Sequence, residues 1–177
     1  MSFFHPTAGR ALAAAFLLGA VALAAPAQAA KLGPYFPIPS YIKISGAPKD
    51  ALLSIQESWL KRGLENLEKA KKEAEAAHDE AKAKDLDKEI AATNAELALA
   101  TDKTPGLVQK ERKDKLLLNV NQWINEFEHL ATEQMKIAIM SDGPVALSAQ
   151  QQNHQYSQFA DDLQVAKNDY SMEIWGK

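Results

Sequence analysis

Two Glu-x-x-His pairs are the residues of this sequence whose types and spacing could do chemistry: Glu75 with His78, and Glu126 with His129. Residues three apart on a helix project to the same side, and di-iron carboxylate sites in helical bundles use such pairs. Those sites also take a glutamate from each of two further helices, whereas the sequence predicts only one further helix, with aspartates at positions 161 and 162. We therefore interpret the four residues as exposed charges on two helices, and we predict no metal ion and no cofactor.

Other chemistries lack their residues. The absence of cysteine excludes thiol catalysis, cysteine-ligated zinc, iron–sulfur clusters and structural disulfides. No glycine-rich phosphate loop occurs, and no serine, histidine and aspartate stand at hydrolase spacing. The net charge is −3 and no block of Lys and Arg occurs, so nucleic acid is not the expected partner. The sequence therefore predicts a protein that is not an enzyme.

The N-terminal residues 1–29 have the pattern of a secretory signal peptide. Arg10 precedes an apolar run over residues 11–25, Pro26 follows the run, and residues 27–29 give the Ala-x-Ala pattern of signal peptidase. A retained anchor is the alternative, but the run is shorter than the roughly 20 residues that span a bilayer. We predict cleavage after residue 29, a periplasmic or secreted protein, and no membrane span after cleavage.

Residues 30–47 differ in composition from everything that follows. Pro34, Pro37 and Pro39 exclude a helix and favour an extended arm, which is also rich in aromatic and β-branched residues. Two interpretations are open. The arm is a strap that covers apolar side chains of a bundle, or it is a docking peptide for another protein.

Residues 48–177 are predicted to form an all-α bundle domain. Pro48 suits a helix start, and from there Leu and Ala recur every seven residues in a coiled-coil-like pattern, giving one helix of about 50 residues that ends near 102. A second helix is predicted over 107–140 and a third from Ser148 to about residue 174. Short turns between helices imply antiparallel neighbours. The predicted fold is an elongated antiparallel three-helix bundle with an extended N-terminal arm.

If the first two predicted helices pair antiparallel about the turn between them, Trp123 of the second lies level with Ala83 in the alanine-rich part of the first. The third helix then returns beside residues 67–92, so the first helix overhangs its partners at its N-terminal side. Together with the arm, this overhang would expose an apolar patch of the kind that marks an interface. The predicted partner-binding residues are Tyr35, Phe36, Tyr41, Leu52, Ile55, Trp59 and Leu60.

These patterns predict an exported, non-catalytic accessory or scaffold protein. Its partner would be another protein, such as a periplasmic or membrane-complex subunit, and the long helix is also compatible with self-association. Two alternatives stay open: a periplasmic holdase-type chaperone, and a helical bundle that binds metal through the Glu-x-x-His pairs.

Overall fold

The computed structural model describes residues 33–39, 42, 44, 46–102 and 107–175, and this part of the chain forms four α-helices. They are α1 (Pro48–Ala76), α2 (Glu80–Thr101), α3 (Leu107–Met140) and α4 (Gly143–Trp175). No β-strand occurs among the described residues, so the predicted all-α fold is confirmed. The predicted signal peptide lies outside the described residues.

The helix that was predicted to run for about 50 residues is interrupted at residues 77–79, so this prediction is wrong. His78 has a left-handed backbone, with φ of 57°. The amide of Asp79 donates to the carbonyl of Ala74 at 2.9 Å, and the amide of His78 donates to the carbonyl of Glu75 at 3.1 Å. These two hydrogen bonds form a Schellman motif, which satisfies the last carbonyls of a helix.

Asp79 begins the next helix directly after this motif. Its carboxylate accepts a hydrogen bond from the amide of Lys82 at 3.0 Å and so caps the N-terminus of α2. Histidine adopts the left-handed conformation more readily than most residues other than glycine. The break therefore needs neither glycine nor proline, and the predicted three-helix bundle is corrected to four helices in the described part of the chain.

α1 and α2 form the first helical hairpin. Lys71 of α1 forms an ion pair with Asp87 of α2 at 2.6 Å, as expected for antiparallel helices joined by a short turn. The buried residues of α2 are Leu86, Thr93 and Ala100, which lie seven residues apart on one side of the helix. The hydroxyl of Thr93 donates to the carbonyl of Glu89 at 2.7 Å, so this polar group is buried with its hydrogen bond made.

α3 and α4 form the second hairpin, which is held by aromatic packing. Phe127 of α3 lies edge-on to Phe159 of α4, with ring centroids 5.4 Å apart. Its ring centroid also lies 6.1 Å from that of Tyr156. Nearer the turn, the side-chain amide of Asn153 donates to the carbonyl of Ala131 at 2.8 Å. α4 begins at Gly143, earlier than the predicted start at Ser148, because proline at position 144 suits the first turn of a helix.

The two hairpins meet at a pair of tryptophans. Trp59 of α1 packs edge-on against Trp123 of α3, with ring centroids 5.3 Å apart. The predicted pairing of Trp123 with the alanines near position 83 is therefore wrong, because it assumed an unbroken first helix. A hydrogen bond of 2.9 Å from Asn119 of α3 to Glu96 of α2 joins the hairpins a second time. α1 and α3 each contact all three other helices and form the centre of the bundle.

Residues 35–37 of the arm lie against α1. Phe36 is buried, and its ring centroid lies 5.2 Å from that of Trp59. The indole of Trp59 donates to the carbonyl of Pro37 at 2.9 Å, and Asn66 donates to the carbonyl of Tyr35 at 2.9 Å. Gly63 allows this approach, since a Cβ at that position would overlap the ring of Phe36.

Candidate protein-binding surface

The residues predicted to bind a partner are gathered into the core. Phe36, Leu52, Trp59 and Leu60 are buried. Tyr35 and Ile55 are half-buried and pack against the same cluster, and Tyr41 lies outside the described residues. The predicted overhang is absent because α1 ends at Ala76 and its N-terminal half packs on α3. In this fold the four buried side chains are not accessible to a partner.

The four residues weighed as metal ligands are not brought into a site. The carboxylate of Glu75 lies 3.6 Å from the Nζ atom of Lys71, and His78 is exposed in the turn between α1 and α2. Glu126 is half-buried and His129 exposed on α3. Within the described ranges, no three His, Asp or Glu side chains are grouped closely enough to hold a metal ion. An unbroken first helix is needed to bring the two Glu-x-x-His pairs together, whereas the chain reverses at His78.

The shifted pKa values in the described part of the chain belong to surface ion pairs. A hydrogen bond with Asp87 raises the pKa of Lys71. Hydrogen bonds from Lys88 and Lys136 lower the pKa of Asp85 and of Glu133, respectively. Each pair lies in solvent, whereas acid–base catalysis uses a shifted group inside a cleft. These shifts are therefore the ordinary result of neighbouring charges on a helix surface.

The unusual surface of the molecule is apolar and lies where α3 turns into α4. Of the eight large apolar side chains exposed in the described residues, six fall between positions 135 and 147. Met140 is 85% exposed and Ile139 is 76% exposed. We call this surface the hairpin tip. It comprises Met135, Ile137, Ile139, Met140, Val145 and Leu147.

The local sequence explains why the hairpin tip cannot bury itself. Residues 135–140 read MKIAIM, so the last turns of α3 carry apolar side chains all round the helix. A helix that is apolar on every side is normally covered by other elements, because one neighbour covers only one side. Among the described helices, α4 is the neighbour that packs along this part of α3. Several apolar side chains are therefore left in water on the sides that α4 does not cover.

An outer groove runs from the hairpin tip along the seam between α3 and α4, with a volume of about 460 Å³. It is lined by Glu128, Ala131, Thr132, Met135, Lys136, Ile139, Asn153, Ser157, Ala160 and Asp161. Thr132 follows Trp123 by nine residues, or about two and a half helical turns, so it lies on the opposite side of α3. The outer groove therefore faces away from α1, and the described residues leave it open.

The charges of the outer groove are mostly acidic. Glu128 stands on α3 and Asp161 on α4, and neither forms an ion pair with another described residue. Lys136 is the one basic residue among the lining residues, and it is held 2.6 Å from Glu133. The groove thus combines an apolar floor with an unpaired carboxylate from each of its two helices.

No protein-family model, curated protein or solved structure matches this chain.

The hairpin tip is the functional candidate that sequence reasoning missed. The signal was present: two apolar runs, 135–140 and 145–147, flank a polar turn. Periodicity identifies apolar residues that could face a neighbour, but it does not tell whether a neighbour reaches them. Only the position of the helix ends shows that these residues stay uncovered.

Proposed function

We propose that this chain is an exported, non-catalytic binding or scaffold protein that docks another protein through the hairpin tip. The observation that carries the proposal is the concentration of six exposed apolar side chains within positions 135–147. Single exposed apolar residues are normal, but six of them within 135–147 are a concentration that favours an interaction surface. The contact between the rings of Phe127 and Phe159 holds together the hairpin that carries this surface.

The charges near the hairpin tip favour a protein partner over a lipid surface. Peripheral membrane helices carry Lys and Arg around their apolar face, which attract anionic headgroups. Here Lys136 is paired with Glu133, and Asp142 occupies the turn. In addition, none of the helices within the described ranges has both the length and the apolar content needed to cross a bilayer.

The arm takes the strap role in this proposal. Burial of Phe36 and the hydrogen bond from Trp59 to the Pro37 carbonyl support the interpretation in which the arm covers apolar side chains of α1. The surface open to a partner is then at the other hairpin. Self-association through the hairpin tip stays within the same proposal as a second mode of binding.

Export is supported by the sequence of residues 1–29. The apolar run over 11–25 and the Ala-x-Ala pattern at 27–29 favour cleavage after residue 29 and a periplasmic or secreted mature chain. Exported proteins often use disulfides, which this chain lacks because it has no cysteine. Its stability outside the cytoplasm would then rest on the packed core alone.

A holdase-type chaperone is the second candidate, and the exposed methionines favour it. Met135 and Met140 are unbranched and adaptable, and such side chains suit surfaces that accept several partners. The two candidates differ in what the hairpin tip binds. A scaffold protein binds one folded partner at fixed stoichiometry, whereas a holdase binds varied unfolded clients.

The test is native mass spectrometry of the tagged full-length chain purified from its own host. We compare wild type with the double variant Ile139→Asp/Met140→Asp, which places charge on the hairpin tip. The matched control is Val165→Asp/Met172→Asp, which alters two exposed apolar residues elsewhere on α4. We expect wild type and control to carry a protein partner, the tip variant to lose it, and the mass to lack residues 1–29.

Circular dichroism checks that all three proteins fold alike. Retention of the partner by the tip variant, or recovery of wild type with no bound protein, would contradict the proposed binding surface. A mass that includes residues 1–29 would contradict export by cleavage. A mixture of unrelated clients, together with suppression of client aggregation that the tip variant loses, would favour the holdase.

A further inference from the structure

We propose that the outer groove receives an amphipathic helix of the partner, with its apolar stripe in the groove and Lys or Arg residues along both flanks. This inference rests on the proposed function, because it names the kind of partner segment that the α3–α4 hairpin would bind. It differs from that proposal in the residues that decide recognition. Those residues are the carboxylates of Glu128 and Asp161 and the small residues between them.

The shape of the outer groove suits a helix. Its α3 wall contains residues at positions 128, 131, 132, 135 and 139, which recur at spacings of one to four along one side of the helix. At about 1.5 Å per residue this wall extends for roughly 16 Å, or about three turns. Helices that dock in grooves insert side chains at positions i, i+3 or i+4, and i+7, which span about 10 Å and so fit within this wall.

The floor of the outer groove allows close approach. Ala131 of α3 and Ala160 of α4 are small and buried, and larger exposed side chains, Met135 and Ile139, stand towards the hairpin tip. A volume of about 460 Å³ is comparable to that of ordinary ligand pockets, so the groove has room for side chains of a docked helix. The apolar surface of the groove continues into the hairpin tip, so one helix could cover part of both.

The groove is formed before any partner arrives. Asn153 reaches across from α4 and donates to the carbonyl of Ala131 at 2.8 Å, which fixes the two helices at this level. A preformed groove loses little conformational entropy on binding, since its walls are already ordered. An incoming helix would therefore need only to place its own side chains.

Charge selects the flanks of that helix. One unpaired carboxylate stands on each wall, Glu128 on α3 and Asp161 on α4, and the nearby Lys136 is already paired with Glu133. Lys or Arg on both flanks of a docked helix would lie beside these carboxylates, and such complementarity gives specificity and a faster association rate. Acidic flanks would meet like charges. The same carboxylates disfavour an anionic lipid surface and a second copy of this chain, whose net charge is −3.

The probe is a synthetic peptide of about 18 residues that carries Leu at three- and four-residue spacing and Lys on both flanks. Its matched counterpart has Glu in place of every Lys. Binding of each labelled peptide to the full chain is measured by fluorescence anisotropy at about 0.1 M salt, where screening is moderate. We expect the Lys peptide to bind wild type about tenfold more tightly than the Glu peptide.

Charge reversal tests the assignment of the two carboxylates. We expect Glu128→Lys/Asp161→Lys to reverse the preference, so that the Glu peptide binds more tightly. The control Glu68→Lys/Glu73→Lys makes the same change of net charge on exposed residues of α1 and should leave the preference for Lys in place. Both double variants change exposed side chains only, and circular dichroism confirms their folding.

Several results would overturn the inference while leaving the proposed function intact. Equal affinity for the two peptides, or an equal effect of both double variants, would remove the role of Glu128 and Asp161. Binding of neither peptide, alongside a native partner that the tip variant loses, would place recognition at the hairpin tip alone. Binding to vesicles of phosphatidylserine and phosphatidylcholine instead of the peptides would assign the groove to lipid. A dimer that Thr132→Arg dissociates and Met140→Asp does not, without peptide binding, would assign the groove to a second copy.

Discussion

The turns of the two hairpins differ in the polarity of the side chains around them. The turn between α1 and α2 is polar: Glu75, His78, Asp79 and Glu80 are exposed around it, and the Schellman motif and the Asp79 cap satisfy its backbone. The turn between α3 and α4 is flanked by exposed apolar side chains, with Met140 the most exposed of them. Both turns reverse the chain in two or three residues.

This difference shows which residues the fold requires. A helical hairpin needs capping at its turn and apolar packing along its seam, and the first hairpin achieves both with a polar end. The apolar residues of the hairpin tip are therefore not needed to turn the chain. Because these side chains are 42 to 85% exposed, the free chain gains only part of their hydrophobic stabilisation. Burial against a partner would supply the rest, which is the physical basis of the proposed binding surface.

The largest expected effect on stability is at the contact between the two hairpins, and it is compared with the effect at the hairpin tip. Trp123 is fully buried against Trp59, so Trp123→Ala should lower the free energy of unfolding by about 3 to 5 kcal/mol. Ile139→Ala removes a side chain that is already in water and should change it by less than about 0.5 kcal/mol. Urea unfolding followed by circular dichroism measures both. Comparable losses would mean that the hairpin tip belongs to the core.

The next effect tests whether the arm packs on the first hairpin as the structure describes. A Cβ at position 63 would overlap the ring of Phe36, so Gly63→Ala should destabilise the protein by about 1 to 3 kcal/mol despite the higher helix propensity of alanine. The clash disappears in Phe36→Ala, which itself loses the buried ring. In that background Gly63→Ala should be neutral or stabilise by about 1 kcal/mol, which is the helix-propensity gain.

A double-mutant cycle from urea unfolding measures this coupling. If Gly63→Ala has the same effect in both backgrounds, Phe36 does not lie against Gly63. The arm would then be free to serve as the docking peptide that the sequence left open. The cycle therefore separates the two interpretations of residues 30–47.

Sequence reasoning predicted the all-α class, the helix start at Pro48 and the break before α3, because proline, capping residues and apolar periodicity are local signals. It missed the break at His78, where no glycine or proline stands. A signal for that break was present, since the apolar stripe of the first helix shifts its phase after position 81. A change of phase indicates that the two parts of a helix face different neighbours.

Four of the predicted partner-binding residues lie in the core for the same reason. An unbroken first helix would leave Leu52 and Trp59 beyond the ends of the other helices, whereas the broken helix folds α2 back on α1 and leaves them in the core. One residue in a left-handed conformation thus moves the exposed apolar surface from one hairpin to the other. Such a long-range consequence depends on tertiary packing and does not follow from any local pattern around Trp59.

The smallest expected effect tests this break directly, with two histidines as a matched pair. His78 has φ of 57°, a conformation that costs an L-residue about 1 to 2 kcal/mol and glycine very little. Glycine loses more entropy on folding, so His78→Gly should stabilise the protein by up to about 1 kcal/mol. His129 is exposed within α3, where glycine lowers helix propensity, and His129→Gly should destabilise by about 0.5 kcal/mol. The midpoints of urea unfolding should therefore shift in opposite directions.

If both variants lost stability equally, position 78 would be helical. The first hairpin would then not exist, the overhang at Trp59 would return, and the contrast between a polar and an apolar turn would fail with it.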